Sequence, residues 1–378
     1  MAKVALTRCS NYNDECKRKV EYLIELLGGI NKVVRSGDTV LIKPNMVVVG
    51  RGENGNITHP YVVEPLVKMC YEAGAEKIFV GDGAGEVNTY KVYTISGMKK
   101  ILDKLRNDKI PVEFIDLNYD KNPQTNDYDA FDLGSLALNQ GHVYRVAHTV
   151  SEVDVIISVP KLKSHNGAGI TVSLKNIIGI APGGYYGFPK RKGNKDKLPH
   201  FSDKPWYSPE RYDKIWRTII DLNRIALGLY PGSPKKRRFF TVVDGVVGGV
   251  YDRLVRSLPV WKPINVGVLI AGADPVAVDT VAAKIMCYLP KRIPTIVEAA
   301  KSGLGTMSNI SIIGERIENF RKFFPPSNNW VNIIDFSCKE VWPHGFFLYL
   351  RKHINDLLFK VRANRIFSKT CVNSANHQ

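Results

Sequence analysis

Residues 153–159 form an apolar, β-rich run of the length of a buried strand, and Lys161, Lys163 and His165 emerge where it ends. In open α/β sheets, ligands bind outside the ends of strands. Thr171, Lys175 and Asn176 follow at spacings that suit a second short element. Gly167, Gly169, Gly179, Gly183 and Gly184 let backbone approach a ligand closely, and a strongly basic loop then runs to His200. Any one of these lysines, taken singly, reads better as a solvated loop residue. The cluster reads differently, because like charges gathered in a cleft repel unless something anionic binds among them. Such a group can hold a carboxylate or phosphate and move a proton.

The same pattern of strand followed by polar residues recurs along the chain. A strand at residues 39–42 delivers Lys43-Pro44-Asn45, and the proline suits a strand end. Thr58-His59-Pro60 opens an amphipathic helix that reaches about residue 73. A strand at 77–80 empties into Gly81-Asp82-Gly83-Ala84-Gly85, a run like a phosphate or nucleotide loop that lacks the dinucleotide fingerprint and the P-loop lysine. A tight turn holding Asp82 fits it equally. Strands at 239–243 and 265–271 deliver Asp244-Gly245 and Gly272-Ala273-Asp274-Pro275, and a helix over 276–286 carries Asp279. Further helices are expected over 13–27, 90–105, 211–229 and 294–300, and strands over 4–7, 112–117, 143–150, 310–313 and 331–334.

Alternation of strands with helices of this length argues for an α/β fold: mainly parallel sheets with helices on both faces, in two lobes with the site between them. The expected organisation is one α/β unit over residues 1–341, with lobes at 1–150 and 151–341, and a basic tail at 342–378.

The formal net charge of +17 is concentrated in two places. Residues 190–238 hold fourteen Lys/Arg against five Asp/Glu, and residues 344–378 hold six against one. A basic surface serves nucleic acid, anionic lipid or small anionic substrates. With no zinc finger, ribonucleoprotein motif or helix-turn-helix, the sequence points away from nucleic acid and toward an anionic metabolite or a membrane surface. The tail places Phe347, Leu350, Ile354, Leu357, Leu358 and Val361 on one helical face among basic residues, a pattern that docks on its own domain, on a partner or at a membrane interface. No pair of the six cysteines has CxxC spacing, so neither a zinc site nor an iron–sulfur cluster is readable from them. Scattered cysteines without a signal segment suggest reduced thiols in the cytoplasm. No apolar run reaches the roughly 20 residues of a membrane span.

Taken together, Leu41-Ile42-Lys43-Pro44-Asn45, Thr58-His59-Pro60 with Glu64, Gly81-Asp82-Gly83, Val159-Pro160-Lys161-Leu162-Lys163-Ser164-His165, Thr171, Leu174-Lys175-Asn176, Gly179, His200, Asp244-Gly245 and residues 272–279 resemble the domain-of-unknown-function 362 family. Members are often joined to a ferredoxin-like iron–sulfur segment, so the resemblance implies redox chemistry. This chain departs there, since its cysteines cannot form that segment, which implies a separate electron donor or another reaction. A more distant similarity, in architecture and in the Lys/His site, is to the nickel-dependent lactate racemase group. There a lysine anchors a pincer cofactor and a histidine binds nickel, parts for which Lys175 and His200 or His165 are the candidates.

The resulting expectation is an enzyme acting on a small anionic metabolite, an oxidoreductase with a separate redox partner protein ahead of a racemase or other proton-transfer enzyme. A non-catalytic protein that binds an anionic ligand or a cofactor is the third reading. Catalysis falls to His165, Lys175, His200 and Lys163, and substrate binding to Lys43, Asn45, Thr58, Lys161, Thr171 and Asn176. Asp82, Gly83 and Gly85 are the candidates for a nucleotide-derived cofactor, and His165, His200 and Asp244 for a divalent metal. No iron–sulfur cluster is expected on this chain.

Overall fold

The computed structural model describes residues 1–85, 88–188, 190, 198–199, 213–252, 260–326 and 328–350. His200 and the basic tail from residue 351 lie outside them. The strands are β1 (Ala2–Arg8), β2 (Thr39–Pro44), β3 (Lys77–Asp82), β4 (Val112–Asp116), β5 (Asp129–Asp132), β6 (Val143–Val146), β7 (Val155–Val159), β8 (Lys161–His165), β9 (Gly169–Thr171), β10 (Arg238–Asp252), β11 (Val260–Gly272) and β12 (Ile310–Gly314). Ten of them form one sheet in the order β12-β1-β11-β10-β7-β2-β3-β4, with β8 pairing β10 and β9 pairing β8. Most of these pairings are parallel, while β11 runs antiparallel to both β1 and β10 and β9 runs antiparallel to β8. Strands from before residue 150 and after residue 151 interleave, with β1 between β11 and β12 and β2 beside β7.

Successive residues of a strand point to opposite faces, so a sheet covered on both faces needs apolar residues at every position. Val155, Ile157 and Val159 of β7 belong to one buried core and Ile156 to the other. Val40 and Ile42 of β2 divide from Leu41 in the same way. One face is covered by α1 (Asp14–Glu25), α2 (Pro60–Glu72) and α4 (Met98–Asn107), which follows α3 (Thr89–Ile95). After the short helices α5 (His148–Glu152), α6 (Ser173–Asn176) and α7 (Gly183–Tyr186), the other face is covered by α8 (Asp213–Leu227), α9 (Pro275–Ile285) and α10 (Pro294–Lys301).

Several elements differ from the periodicity-based expectation. The helix expected over 90–105 is two, because Gly97 takes a left-handed φ of 84° and breaks α3 from α4. The β-rich run 143–150 gives only β6, which pairs β5 in a separate two-stranded sheet, and then turns into α5. Residues 331–334 form no strand. Residues 331–333 belong to the 3-10 stretch Asn328–Ile333, and Ile334 makes a single bridge with Tyr288. Lys161, Lys163 and His165 stand on a strand of their own, β8, instead of on a loop. Among the described residues, no helix is long and apolar enough to cross a membrane.

Candidate active site

The chain lays β2, β3 and β4 outward in one direction and then returns to place β7 on the other side of β2. This reversal is the crevice-forming switch point of an open α/β sheet. Lys43 and Asn45 lie at the carboxyl end of β2, Asp82 at that of β3, and Ser158 and Val159 at that of β7. In β8, Lys161 and Lys163 share a face because strand side chains alternate. Asp244 lies within β10, in register with Lys161.

Two of the buried lysines have carboxylate partners. Lys43 Nζ donates to Asp82 Oδ1 at 2.5 Å and to the Asn176 carbonyl at 2.6 Å. Lys161 Nζ donates to Asp244 Oδ2 at 2.9 Å, the Tyr12 hydroxyl at 2.6 Å and the Gly52 carbonyl at 2.8 Å. Burial lowers the pKa of both lysines, and their aspartates oppose it.

Three more have none among the described residues. Lys163 Nζ donates to Asn45 Oδ1 at 2.9 Å and the Asn56 carbonyl at 2.7 Å, and lies 4.3 Å from the centroid of the Trp261 ring. Burial holds it well below the ordinary lysine range, with Lys175 and Lys161 adding repulsion. Lys190 Nζ donates to the Gly83 carbonyl at 3.0 Å and lies 3.4 Å from that of Gly179; burial brings it to about 7 against the attraction of Asp82. Lys175 is half-buried and makes no hydrogen bond or ion pair through its ammonium among the described residues. Burial and the nearby Lys43 charge lower it to about 8.

Neutral groups tie these lysines together. Asn176 donates to the Lys43 carbonyl and to Ser158 Oγ, both at 3.0 Å, and accepts from Asn45 Nδ2 at 3.0 Å. Thr58 Oγ1 accepts from Asn45 N at 2.9 Å and donates to the Val159 carbonyl at 2.5 Å, so it braces the end of β7. Thr171 pairs with Lys163 across β8 and β9, and its buried hydroxyl has no hydrogen-bond partner among the described residues.

The remaining expected site residues sit differently. His165 is at the end of β8, where its Nδ1 accepts from Gly167 N at 2.9 Å and Ala168 N at 3.1 Å. That leaves Nε2 as the protonated nitrogen of the neutral ring. Gly83 is packed against protein, since a Cβ there would lie 2.4 Å from the Gly179 carbonyl oxygen and 2.9 Å from Lys190 Nζ. Gly85 N donates to the Val47 carbonyl at 3.3 Å. Asp244 is the counter-ion of Lys161 and also accepts from Tyr12 OH at 2.7 Å and His59 N at 2.9 Å. Among the described residues, no convergent group of three metal-ligating side chains includes His165 or Asp244.

Sequence reasoning missed Tyr12, His59, Ser158 and Lys190. Tyr12 stacks on His59 with ring centroids 3.8 Å apart, and burial raises the tyrosine and lowers the histidine from their ordinary values. Nothing in the local sequence marks Tyr12, which lies far along the chain from Asp244. Lys190 was hidden in a basic run that reads as solvated.

A family model described as Domain of unknown function (DUF362) matches residues 40–284, a span that contains the five lysines, Asp82 and Asp244. Thylakoid-associated protein sll1697 of Synechocystis sp. is 28% identical over 303 residues, which cover 80% of this chain and 79% of that protein. Among solved structures, the lactate racemase apoprotein from Thermoanaerobacterium thermosaccharolyticum is similar with a TM-score of 0.39 and 15% identity, over 76% of this chain and 57% of that one. A protein from Thermotoga maritima is similar with a TM-score of 0.38 and 13% identity, over 80% of this chain and 61% of that one. This chain therefore spans less than two thirds of either solved structure.

Proposed function

The chain belongs to the Domain of unknown function (DUF362) family, and we propose that it is an enzyme acting on a small anionic metabolite, whose carboxylate or phosphate is held by Lys163, Lys175 and Lys190. The observation that carries this reading is the charge imbalance of the site. Lys43 and Lys161 have aspartates in contact, whereas among the described residues the ammonium groups of Lys163 and Lys190 meet neutral acceptors and that of Lys175 meets none. Keeping unpaired charge out of water costs several kcal/mol, which a bound anion offsets.

Proton transfer is the chemistry best supported. Lys175, near 8, has both a protonated and a free-base population close to neutral pH, the condition for a general acid–base group. The buried Thr171 hydroxyl beside Lys163 is available to position a substrate oxygen. His165, with Nδ1 engaged by the hairpin, serves as a hydrogen-bond donor through Nε2. Of the parts needed for a lysine-anchored nickel cofactor, Lys175 is present, His165 Nδ1 is engaged and His200 lies outside the described residues. The chemistry proposed here runs on protein groups alone.

The test is solvent deuterium exchange, followed by proton NMR, on a panel of 2-hydroxy, 2-oxo and phosphorylated carboxylic acids. Exchange at C2 of a 2-hydroxy acid, at C3 of a 2-oxo acid or at the C–H next to the carboxylate of a phosphorylated acid, lost in Lys175→Met, supports the reading. Saturable binding without exchange of any panel member reduces the protein to an anion-binding module.

An oxidoreductase working with a separate electron-donor protein is the second reading, and one observation favours it. The Cys9 and Cys16 thiols are both buried and lie within electrostatic reach of each other and of Asp244. Loss of two titratable thiols on incubation with a metabolite would support it, and an unchanged thiol count would leave proton transfer.

We further propose a cytoplasmic location with peripheral contact to a membrane surface. Trp342, Phe346, Phe347 and Leu350 are exposed next to the basic tail, and the sll1697 relative is called thylakoid-associated. Flotation with anionic vesicles should be lost on removal of residues 342–378. Retention would clear the tail of that role.

A further inference from the structure

Outside the lysine cluster, Cys287, Cys338 and Glu340 bring their ligand atoms within 4.8 Å of one another. We propose that they bind a divalent, thiophilic cation of the zinc type. Cys287 and Cys338 are 51 positions apart, so the site is invisible as a spacing motif and exists only in the fold. It also lies beyond the residues matched by the family model, which end at 284.

Three features argue for an ion. The first is the ligand set, two buried sulfurs and a carboxylate, which is borderline-soft and matches zinc, with water completing a tetrahedron. Tetrahedral zinc at about 2.3 Å from each sulfur separates its ligand atoms by just under about 4 Å, so the observed spacing needs only a small contraction. The second is that Glu340 Oε2 is buried with no hydrogen-bond partner among the described residues, and an unsatisfied carboxylate oxygen is costly unless a cation meets it. The third is charge. Two thiolates, a carboxylate and a divalent ion sum to −1, and the Arg321 guanidinium acts on both thiols from nearby. Binding releases the two thiol protons to solvent and leaves the site with Arg321 neutral overall.

The placement also gives such an ion a task. Cys287 directly follows α9 and takes a φ of 60°, a conformation that favours glycine at the end of a helix. Cys338 and Glu340 come from the segment that closes over it, where Asp335 N donates to the Cys287 carbonyl at 2.9 Å. Val331, Ile334, Val341 and the two cysteines form a small core of their own. The ion would clamp this satellite core to the end of α9.

The experiment uses the full chain, purified under reducing conditions, stripped with chelator and titrated with cobalt(II). A thiolate-to-cobalt charge-transfer band and visible bands of tetrahedral intensity, saturating at one equivalent and displaced by zinc, are expected. Cys338→Ser should abolish the charge-transfer band, and Glu340→Gln should weaken cobalt affinity by more than about tenfold, with near-ultraviolet circular dichroism unchanged. If Cys338→Ser fails to fold, Glu340→Gln carries the decision. A folded wild-type protein without the charge-transfer band overturns the proposal. So does a band that survives in both variants, which would assign the metal to other thiols, or a Cys287–Cys338 disulfide in the reduced preparation.

Discussion

Lys43 and Asp82 close a buried ion pair across the ends of two adjacent parallel strands, with Nζ 2.5 Å from Oδ1 and both side chains essentially without solvent. Asp82 Oδ2 meanwhile accepts from Met46 N at 2.8 Å, so one carboxylate fixes both the lysine and the chain leaving β2. Removing one member of such a pair leaves the other charge buried. Asp82→Asn is therefore expected to cost about 3–5 kcal/mol in urea unfolding, and Lys43→Met added to it should recover part of that loss. A single variant within about 1 kcal/mol of the parent would show that the pair is not the clamp described here.

Gly179 is the floor of that pair. A Cβ at this position would lie 1.9 Å from Asp82 Oδ1 and 2.5 Å from Lys43 Nζ. Since both groups are held by further hydrogen bonds, Gly179→Ala must displace the ion pair or the backbone between α6 and α7. The expected result is a loss of several kcal/mol and loss of anion binding together. Gly232→Ala is the contrasting variant, because nothing lies within 4 Å of its Cβ and only its left-handed φ is strained.

The strand ends were legible in the sequence because the code there is short-range. An apolar run followed by Lys-Pro-Asn, or by Lys-Leu-Lys-Ser-His, states both the strand and its exit, and Lys43, Asn45, Asp82, Lys161, Lys163 and Asn176 all meet at one edge of the sheet. What each lysine touches was not legible, because partner choice is made across strands. Asp244 had the look of a metal ligand, yet β10 places it in register with Lys161. The glycines after Asp82 resembled a phosphate cradle, yet Gly83 is needed for contact with Gly179 and Lys190. The 143–150 run failed for another reason, since a hydrophobic segment of that length carries no strong signal between strand and helix.

His165 offers a way to separate a structural role from a chemical one. Its Nδ1 satisfies two backbone N–H groups of the β8–β9 hairpin, and His165→Ala leaves both without that acceptor, at an expected cost of about 1–3 kcal/mol. His165→Asn puts an amide oxygen near the Nδ1 position and should keep most of that stability. If His165→Asn also keeps full deuterium exchange, the histidine acts only on the hairpin. A stable but inactive variant gives it a part in the chemistry.

The unpaired lysines make two opposite pH trends. Lys190 at about 7 and Lys175 at about 8 lie below the ordinary lysine value reached on unfolding. From about pH 7 to about pH 10 the unfolded chain therefore binds more protons than the folded one, and stability from these groups rises with pH across that window. Below about pH 7 both states hold the protons, and the cost of keeping the charges buried is present in full. A bound anion prefers the protonated lysines, so its affinity should fall as pH rises through the same lower limits. Urea unfolding at about pH 6.5 and about pH 9.5, with and without inorganic phosphate, separates the two trends. Lys175→Met should raise stability at the lower pH, flatten the slope and erase most of the stabilisation by phosphate. Phosphate stabilisation that grows with pH, or survives unchanged in Lys175→Met, would remove this lysine from the anion site.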